Sequence, residues 1–236
     1  MSTLLARWAV RPVEQAWDQQ RQFVADASHE LKTPLTVILT NAELLSDPAY
    51  DEERRQDFSA NILTMSRQMR LLVEELLDQA RVDNSKIQHQ TLDLSKLVEE
   101  ALLPFEPVYF EAGRNLVNQI EPGISLTGSG KHLCQVVEIL LDNGCKYSDP
   151  GSTTLLRLSR HGRNALLSVT TPGTPLTEQQ CTDIFKRFYR VDAARTRTGS
   201  YGLGLSIAQG IVAQHGGKIW AQSQEGSNTF FVLLPM

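Results

Sequence analysis

From residue 12 to residue 82 the chain contains no glycine, and only Pro12, Pro34 and Pro48 interrupt the stretch. Glycine and proline are the residues that let a backbone turn, so a run of this length almost without them must fold as long helices. Apolar side chains recur at Trp17, Val24, Ala27, Leu31, Leu35, Ile38, Ala42 and Leu45, with Gln20 at a polar seam position. Steps of mostly threes and fours are the repeat of about 3.5 residues by which a helix packs into a bundle. Phe58, Ile62, Met65, Met69, Leu72 and Leu76 repeat the pattern after the loop "SDPAYDEE". In that loop Asp47 and Pro48 end one helix, and Asp51 is placed to cap the next. Two helices so joined make an antiparallel hairpin. The pair alone buries little apolar surface, so the pattern predicts pairing with a second copy as a dimeric four-helix bundle.

From about residue 90 the pattern changes: glycines become frequent and β-rich runs appear. "NLVNQI", "TTLLRLSR", "NALLSVTT", "GKIWAQS" and "TFFVLLP" read as strands, between helical patterns around 94–112, 131–147, 178–188 and 203–215. This order predicts an α/β sandwich, a mixed sheet with helices on one face. The expected organisation is multidomain: a juxtamembrane stub at 1–11, a helical hairpin at 12–82, a hinge at 83–90 and the α/β domain at 91–236.

The net charge of −4 leaves no basic surplus to neutralise phosphates, which argues against a nucleic-acid partner. Cys134, Cys145 and Cys181 lie far apart without CxxC spacing, fitting free thiols better than a disulfide framework or a zinc site. No run of about 18 apolar residues is present to span a bilayer.

Chemistry enters at "SHELKTPL", residues 28–35. His29 lies two positions from both Ala27 and Leu31, about 200° from either around the helix, and so projects from the seam towards solvent. Pro34 offers no N–H to the carbonyl of Glu30, and a bend is expected there. Glu30 can hold the Nδ1 proton of the imidazole and leave Nε2 as a nucleophile. By itself, an exposed His-Glu pair on a helix is more often just a solvated polar surface.

In the α/β half, "EILLDNGCKYS" places Asn143, Lys146 and Tyr147 on the last turns of a helix. An amide oxygen can ligate Mg²⁺, a lysine can meet a phosphate, and a ring can pack on a nucleoside. "TTPGTP" holds Gly173, where the backbone could approach a flat ligand closely, and "IFKRFYR" offers Arg187 and Arg190 as phosphate partners. Gly199, Gly202 and Gly204 precede an apolar-periodic helix, a loop and helix N-terminus suited to a triphosphate. It lacks the GK[ST] ending of a Walker loop.

Taken in order, "FVADASHELKTPLT", "LLDNGCKYS", "IFKRFYR" and "GSYGLGL" resemble the boxes of bacterial two-component sensor histidine kinases, over about residues 12–236. The resemblance implies a homodimeric hairpin domain carrying the phospho-acceptor, followed by an ATP-binding domain of the Bergerat fold. It implies that His29 is phosphorylated from Mg·ATP and hands the phosphoryl group to an aspartate on a response-regulator receiver domain. Glu30 matches the acidic residue that orients the histidine, and Thr33 the residue that helps dephosphorylate the regulator. Asn143 matches a Mg²⁺ ligand, and Lys146 and Tyr147 match phosphate and nucleoside contacts. Arg190 matches a γ-phosphate partner, residues 191–201 a lid, and Gly202, Leu203 and Gly204 the phosphate cradle. The full-length protein is expected to be membrane-anchored, with this chain as its cytoplasmic portion.

Two positions depart from the family. Ile139 stands where many relatives carry a further asparagine, and Thr171, aligned on Gly173, stands where an acidic residue meets the adenine amine. These departures motivate an alternative, a kinase-like signalling scaffold with weakened or absent ATP binding.

Overall fold

The computed structural model describes residues 2–84, 89–191 and 200–236. It divides into two units, Met1–Leu77 and Asp78–Met236. None of the described helices is long and apolar enough to cross a membrane.

The first unit is built from helix α1 (Ser2–Ser46) and most of helix α2 (Glu52–Asn84). Asp47 Oδ1 accepts the Ala49 N–H at 2.9 Å, and Asp51 Oδ1 accepts the Arg54 N–H at 3.0 Å. One aspartate thus shapes the turn and the other caps α2, whose first turn also carries Glu52 and Glu53 against the positive end of the helix dipole. Tyr50 meets the Phe58 ring edge-on across this end of the hairpin.

Helix α1 stays helical through Pro34. Its most buried positions are Ala27, Pro34 and Asn41, seven residues apart, and the corresponding anchor on α2 is Leu72. Of the expected repeat, Trp17, Val24, Leu35 and Ala42 are exposed in the single chain. A proline ring is compact and apolar, so it can fill a seam position. Asn41 satisfies its amide within the seam, donating to the Val37 carbonyl and accepting from Asn61 Nδ2. Val24, Leu35, Leu39, Leu63, Leu71 and Leu77 are apolar side chains that the chain's own hairpin leaves exposed.

The second unit has a five-stranded sheet of β2 (Asn115–Ile120), β4 (Thr153–His161), β5 (Asn164–Pro172), β6 (Lys218–Gln224) and β7 (Ser227–Pro235). The spatial order is β2-β4-β5-β7-β6, parallel between β2 and β4 and antiparallel elsewhere. Burial alternates along β4 and β5, so Leu156, Leu158, Ala165, Leu167 and Val169 point to one face. Helix α5 (Gly130–Tyr147) presents Leu133, Val136, Val137, Leu140 and Leu141 to the same core, and α7 (Gly204–Gln214) adds Ile207, Ala208, Ile211 and Val212. On the opposite face Trp220 stacks on Phe231.

Three sequence expectations change. The pattern at 94–112 resolves into α3 (Leu94–Leu102) and α4 (Phe105–Glu111), because Pro104 cannot continue the first helix and is preorganised to start the second. Helix α6 (Glu178–Asp183) begins with a Thr177–Gln180 capping box but stops before Phe188, whose φ of +60° is not helical. A small antiparallel pair, β1 (Gln90–Asp93) with β3 (Ser125–Gly128), has no counterpart in the sequence reading. Each strand has four residues, too short to give a period. Most of the expected hinge and lid, residues 85–88 and 192–199, lies outside the described residues.

Leu140 is fully buried at the centre of the helix–sheet contact. Leu140→Ala should lower the stability of the second unit by about 2–5 kcal/mol in urea unfolding followed at Trp220.

Candidate functional site

The histidine of the first unit stands clear of its seam: the His29 side chain is 81% exposed. Its Nδ1 lies 3.7 Å from Glu30 Oε1, beyond a direct hydrogen bond but within an ion pair's reach. Thr33 sits one turn on and donates to the His29 carbonyl at 3.4 Å, which keeps the hydroxyl on the histidine's side of α1.

In the second unit the segments singled out by sequence meet around the C-terminal half of α5. Asn143 Nδ2 donates to the Ile139 carbonyl at 2.9 Å, so its Oδ1 is directed away from the helix backbone. Lys146 Nζ is paired with Asp142 Oδ2 at 2.7 Å, and the Tyr147 side chain is largely exposed. Arg114 donates twice to the Ser148 carbonyl, from Nε and Nη2, and fixes the end of α5 with a cation where the dipole is negative.

Beneath this helix lies Thr171, 5% exposed, with no hydrogen-bond partner for its Oγ1. A Cβ on Gly144 would come within 3.2 Å of that oxygen and 2.5 Å of the Tyr109 hydroxyl, so only glycine lets α5 lie this close. Tyr109 donates to the Leu141 carbonyl at 2.7 Å, and burial raises its phenol well above the usual tyrosine range. Asn228 is the register partner of Thr171 on β7; its Nδ2 holds the Thr174 carbonyl while its Oδ1 is buried without a partner. The Ser148 hydroxyl is also buried and unpaired. Gly173 brings its loop against the Tyr147 carbonyl, 2.9 Å from where a side chain would start.

The late glycines shape the other end. Gly202 has a φ of +74°, and a Cβ there would lie 2.6 Å from the Tyr189 carbonyl. Its own carbonyl accepts the Phe188 N–H, which ties this loop to the segment carrying Phe185, Arg187 and the half-buried Arg190. Leu203 is fully buried, so it can offer a ligand only backbone. Helix α7 starts at Gly204 without a side-chain cap, leaving first-turn N–H groups for an anion. Ile139 Cγ2 lies 3.3 Å from the Cβ position of Gly204, an apolar contact between α5 and the start of α7.

Arg114, Ser148, Gly144 and Asn228 were missed in the sequence. Gly144 alone left a signal, as a glycine inside a helical pattern; the others depend on strand register and loop packing.

Residues 19–85 match the family model of the His Kinase A (phospho-acceptor) domain, and residues 128–236 match that of the histidine kinase-, DNA gyrase B- and HSP90-like ATPases. The chain belongs to the histidine kinases. Among relatives, this kinase core is 33% identical over 238 residues to the sensor protein DltS of Streptococcus agalactiae, covering all of the chain and 59% of DltS. It is 32% identical over 245 residues to the histidine-protein kinase/phosphatase MprB of Mycobacterium avium, covering 96% of the chain and 45% of MprB. The chain thus spans about half the length of these curated relatives. Among solved structures, histidine kinase AdeS of Acinetobacter baumannii superposes with a TM-score of 0.68 at 23% identity, covering 88% of this chain and 98% of that one. Histidine kinase ThkA, solved in complex with response regulator TrrA, gives a TM-score of 0.79 at 18% identity, covering 100% of this chain and 67% of that one. These structural likenesses establish the fold.

Gly202→Ala and Gly151→Ala separate the two roles of a left-handed glycine. Gly151 has a φ of +75° and open space around it, so alanine there should cost about 1–2 kcal/mol of backbone strain. Gly202→Ala must also displace Tyr189, and hydrogen exchange should show the Phe188 amide losing its protection in that variant only.

Proposed function

We propose that the chain is a kinase core that phosphorylates His29 from Mg·ATP, passes the phosphoryl group to an aspartate of a response-regulator receiver domain, and dephosphorylates that regulator. The carrying observation is that one chain holds an exposed imidazole beside a carboxylate and, in another unit, an uncapped helix N-terminus behind a left-handed glycine turn. Residues 12–82 act as the dimerisation and phosphotransfer domain, 83–90 as the hinge and 91–236 as the ATP-binding domain. The exposed leucines and Val24 of the hairpin are the surface on which a second copy completes a homodimeric bundle. A membrane anchor on the full-length protein, with this chain on its cytoplasmic side, belongs to the same proposal and rests on the resemblance.

The residues fit the nucleotide. The buried, unpaired oxygens of Thr171, Asn228 and Ser148 need a polar partner, which an adenine edge or a bridging water supplies. Tyr147 offers a face for the nucleoside. The first-turn N–H groups of α7, after Gly202, Leu203 and Gly204, receive the phosphates, with Lys146 and Arg190 as cations. Asn143 Oδ1, turned from the helix backbone by the bond of its Nδ2 to the Ile139 carbonyl, would hold Mg²⁺, which would offset charge on the transferring group.

Glu30 holds the Nδ1 proton, so the Nε2 lone pair attacks the γ-phosphorus in line. The N–P bond forms as the bond from phosphorus to the β–γ bridging oxygen breaks, and ADP leaves with that electron pair. Positioning supplies most of the rate, so transfer requires the two units to come together. Thr33, one turn from His29, orients water for the regulator's aspartyl phosphate.

One observation favours the scaffold reading. Ile139 fills the approach to α7 with hydrocarbon, so α5 gives a metal only the Asn143 oxygen from this pair of positions. Calorimetric titration with ADP and ATP, with and without Mg²⁺, decides between the two when combined with phosphohistidine detection: weak or absent nucleotide binding without His29 labelling selects the scaffold.

Incubation with γ-labelled ATP and Mg²⁺ should give an acid-labile label that His29→Gln abolishes while the hairpin stays folded. Thr33→Ala should leave labelling unchanged and slow regulator dephosphorylation; loss of labelling in that variant would remove its assigned role. Thr171→Val should weaken ADP binding about five- to tenfold, the worth of one hydrogen bond.

A further inference from the structure

Three of the chain's five histidines, His89, His132 and His215, gather at one corner of the second unit, away from the residues assigned above. His215 follows the last residue of α7 and is 7% exposed. Both its ring nitrogens are used by backbone. Nδ1 lies 2.8 Å from the Ile211 carbonyl, which can only accept, so Nδ1 carries the proton. The Ser129 N–H, which can only donate, meets Nε2 at 3.0 Å, so Nε2 must be bare. The imidazole is therefore held neutral in a single tautomer.

Its surroundings leave it little room to move. The ring lies on the backbone of Gly128, where a Cβ would come within 2.7 Å of His215 Cδ2. Gly128 is the last residue of β3 and pairs with Gln90 at the start of β1. His89, just ahead of β1, places its ring 5.1 Å from that of His215. Ser129 immediately precedes α5, and its hydroxyl lies 2.8 Å from His132 Nδ1 instead of capping the helix. One imidazole thus fastens the end of α7 to the start of α5 and to the corner where β1 enters the domain.

We propose that His215, with His89 and His132 around it, is a proton-sensitive clamp that joins α7, α5 and the β1–β3 corner and loosens in mild acid. A proton arriving at Nε2 removes the acceptor of the Ser129 N–H and sets two donors face to face. The charged and titratable groups facing the cluster are His89 from the segment before β1, His132 and Lys131 from α5, and Asp78 from the end of α2, which faces His132. Lys131 and the other two imidazoles oppose a new positive charge, while Asp78 favours one on His132. Burial pushes His215 below the usual histidine range; the Ile211 carbonyl pulls it back, and His89 and His132 push it further down. The sign follows. A group whose folded-state pKa is depressed and whose neutral form is required stabilises the fold above the ordinary histidine value of about 6.5. That contribution is lost as pH falls below it, by up to about tenfold in the closing equilibrium per pH unit until the folded value is reached. A metal role is not supported, since no group of three or more His, Cys, Asp or Glu side chains among the described residues is placed to hold one.

The test is hydrogen exchange on the full chain, followed as the protection factor of the Ser129 amide and of β1 from about pH 7.5 to about pH 5. In the wild type both should fall with acid. His215→Gln, which keeps an acceptor and a donor but no titration, should flatten the profile. His89→Ala should shrink the pH dependence, because removing a repelling and shielding neighbour lets the folded-state value rise. An equal fall in His215→Gln, or no fall in the wild type, overturns the proposal. Imidazole ¹⁵N shifts of wild-type His215 give a reading that does not depend on any variant folding. Protonation of Nε2 with Ser129 still protected would also overturn it.

Discussion

The packing of α5 on the inner face of the sheet is the contact on which the second unit depends. Leu133, Val136, Val137, Leu140 and Leu141 lie on the sheet's apolar face, and that anchorage sets where the polar turns of the helix emerge. Asn143, Lys146 and Tyr147 are at the end of a helix whose position the core fixes. Gly144 allows the close approach, and Arg114 holds the last carbonyl. Gly173 then brings its loop against the Tyr147 carbonyl at that end, Gly204 brings the start of α7 against Ile139, and Gly202 brings its loop against Tyr189. Gly173 and Gly202 meet backbone, Gly144 meets the Tyr109 hydroxyl and Gly204 meets Ile139. A methyl group added at several of these points would push the elements apart.

The hairpin follows a different economy. It leaves His29 in solvent and a set of apolar side chains exposed in the single chain. An exposed imidazole needs no stabilising network, and its weak pairing with Glu30 adds little to stability. The exposed apolar set is costly for an isolated chain and sensible for one that pairs. Asn41 and Asn61, bonded to each other across the hairpin, place a polar layer where an apolar one would be more stable; such layers fix register.

Much of this was legible in the residues. The missing glycines and the apolar repeat gave the hairpin, its loop and the cap at Asp51. The runs from "NLVNQI" to "TFFVLLP" marked the five strands of the large sheet, and "LLDNGCKYS", "IFKRFYR" and "GSYGLGL" marked segments that come together in the second unit. What escaped had physical reasons. Strands of four residues carry no period. A helix pattern does not register where Pro104 divides it, nor that Phe188 turns into the left-handed region. Ile139 looked like a lost metal ligand in the sequence; in the fold it is also a spacer against Gly204.

The sequence by itself determined the two long helices, the five strands of the large sheet and that one histidine stands off an apolar seam, because period and turn chemistry are local properties. Only the tertiary structure decided which polar groups are left buried without partners, since that depends on strand register pairing Thr171 with Asn228. It also decided that three histidines spread over more than a hundred residues of sequence share one corner. Contacts between elements far apart in the chain are fixed by how the core closes, and no local pattern encodes them.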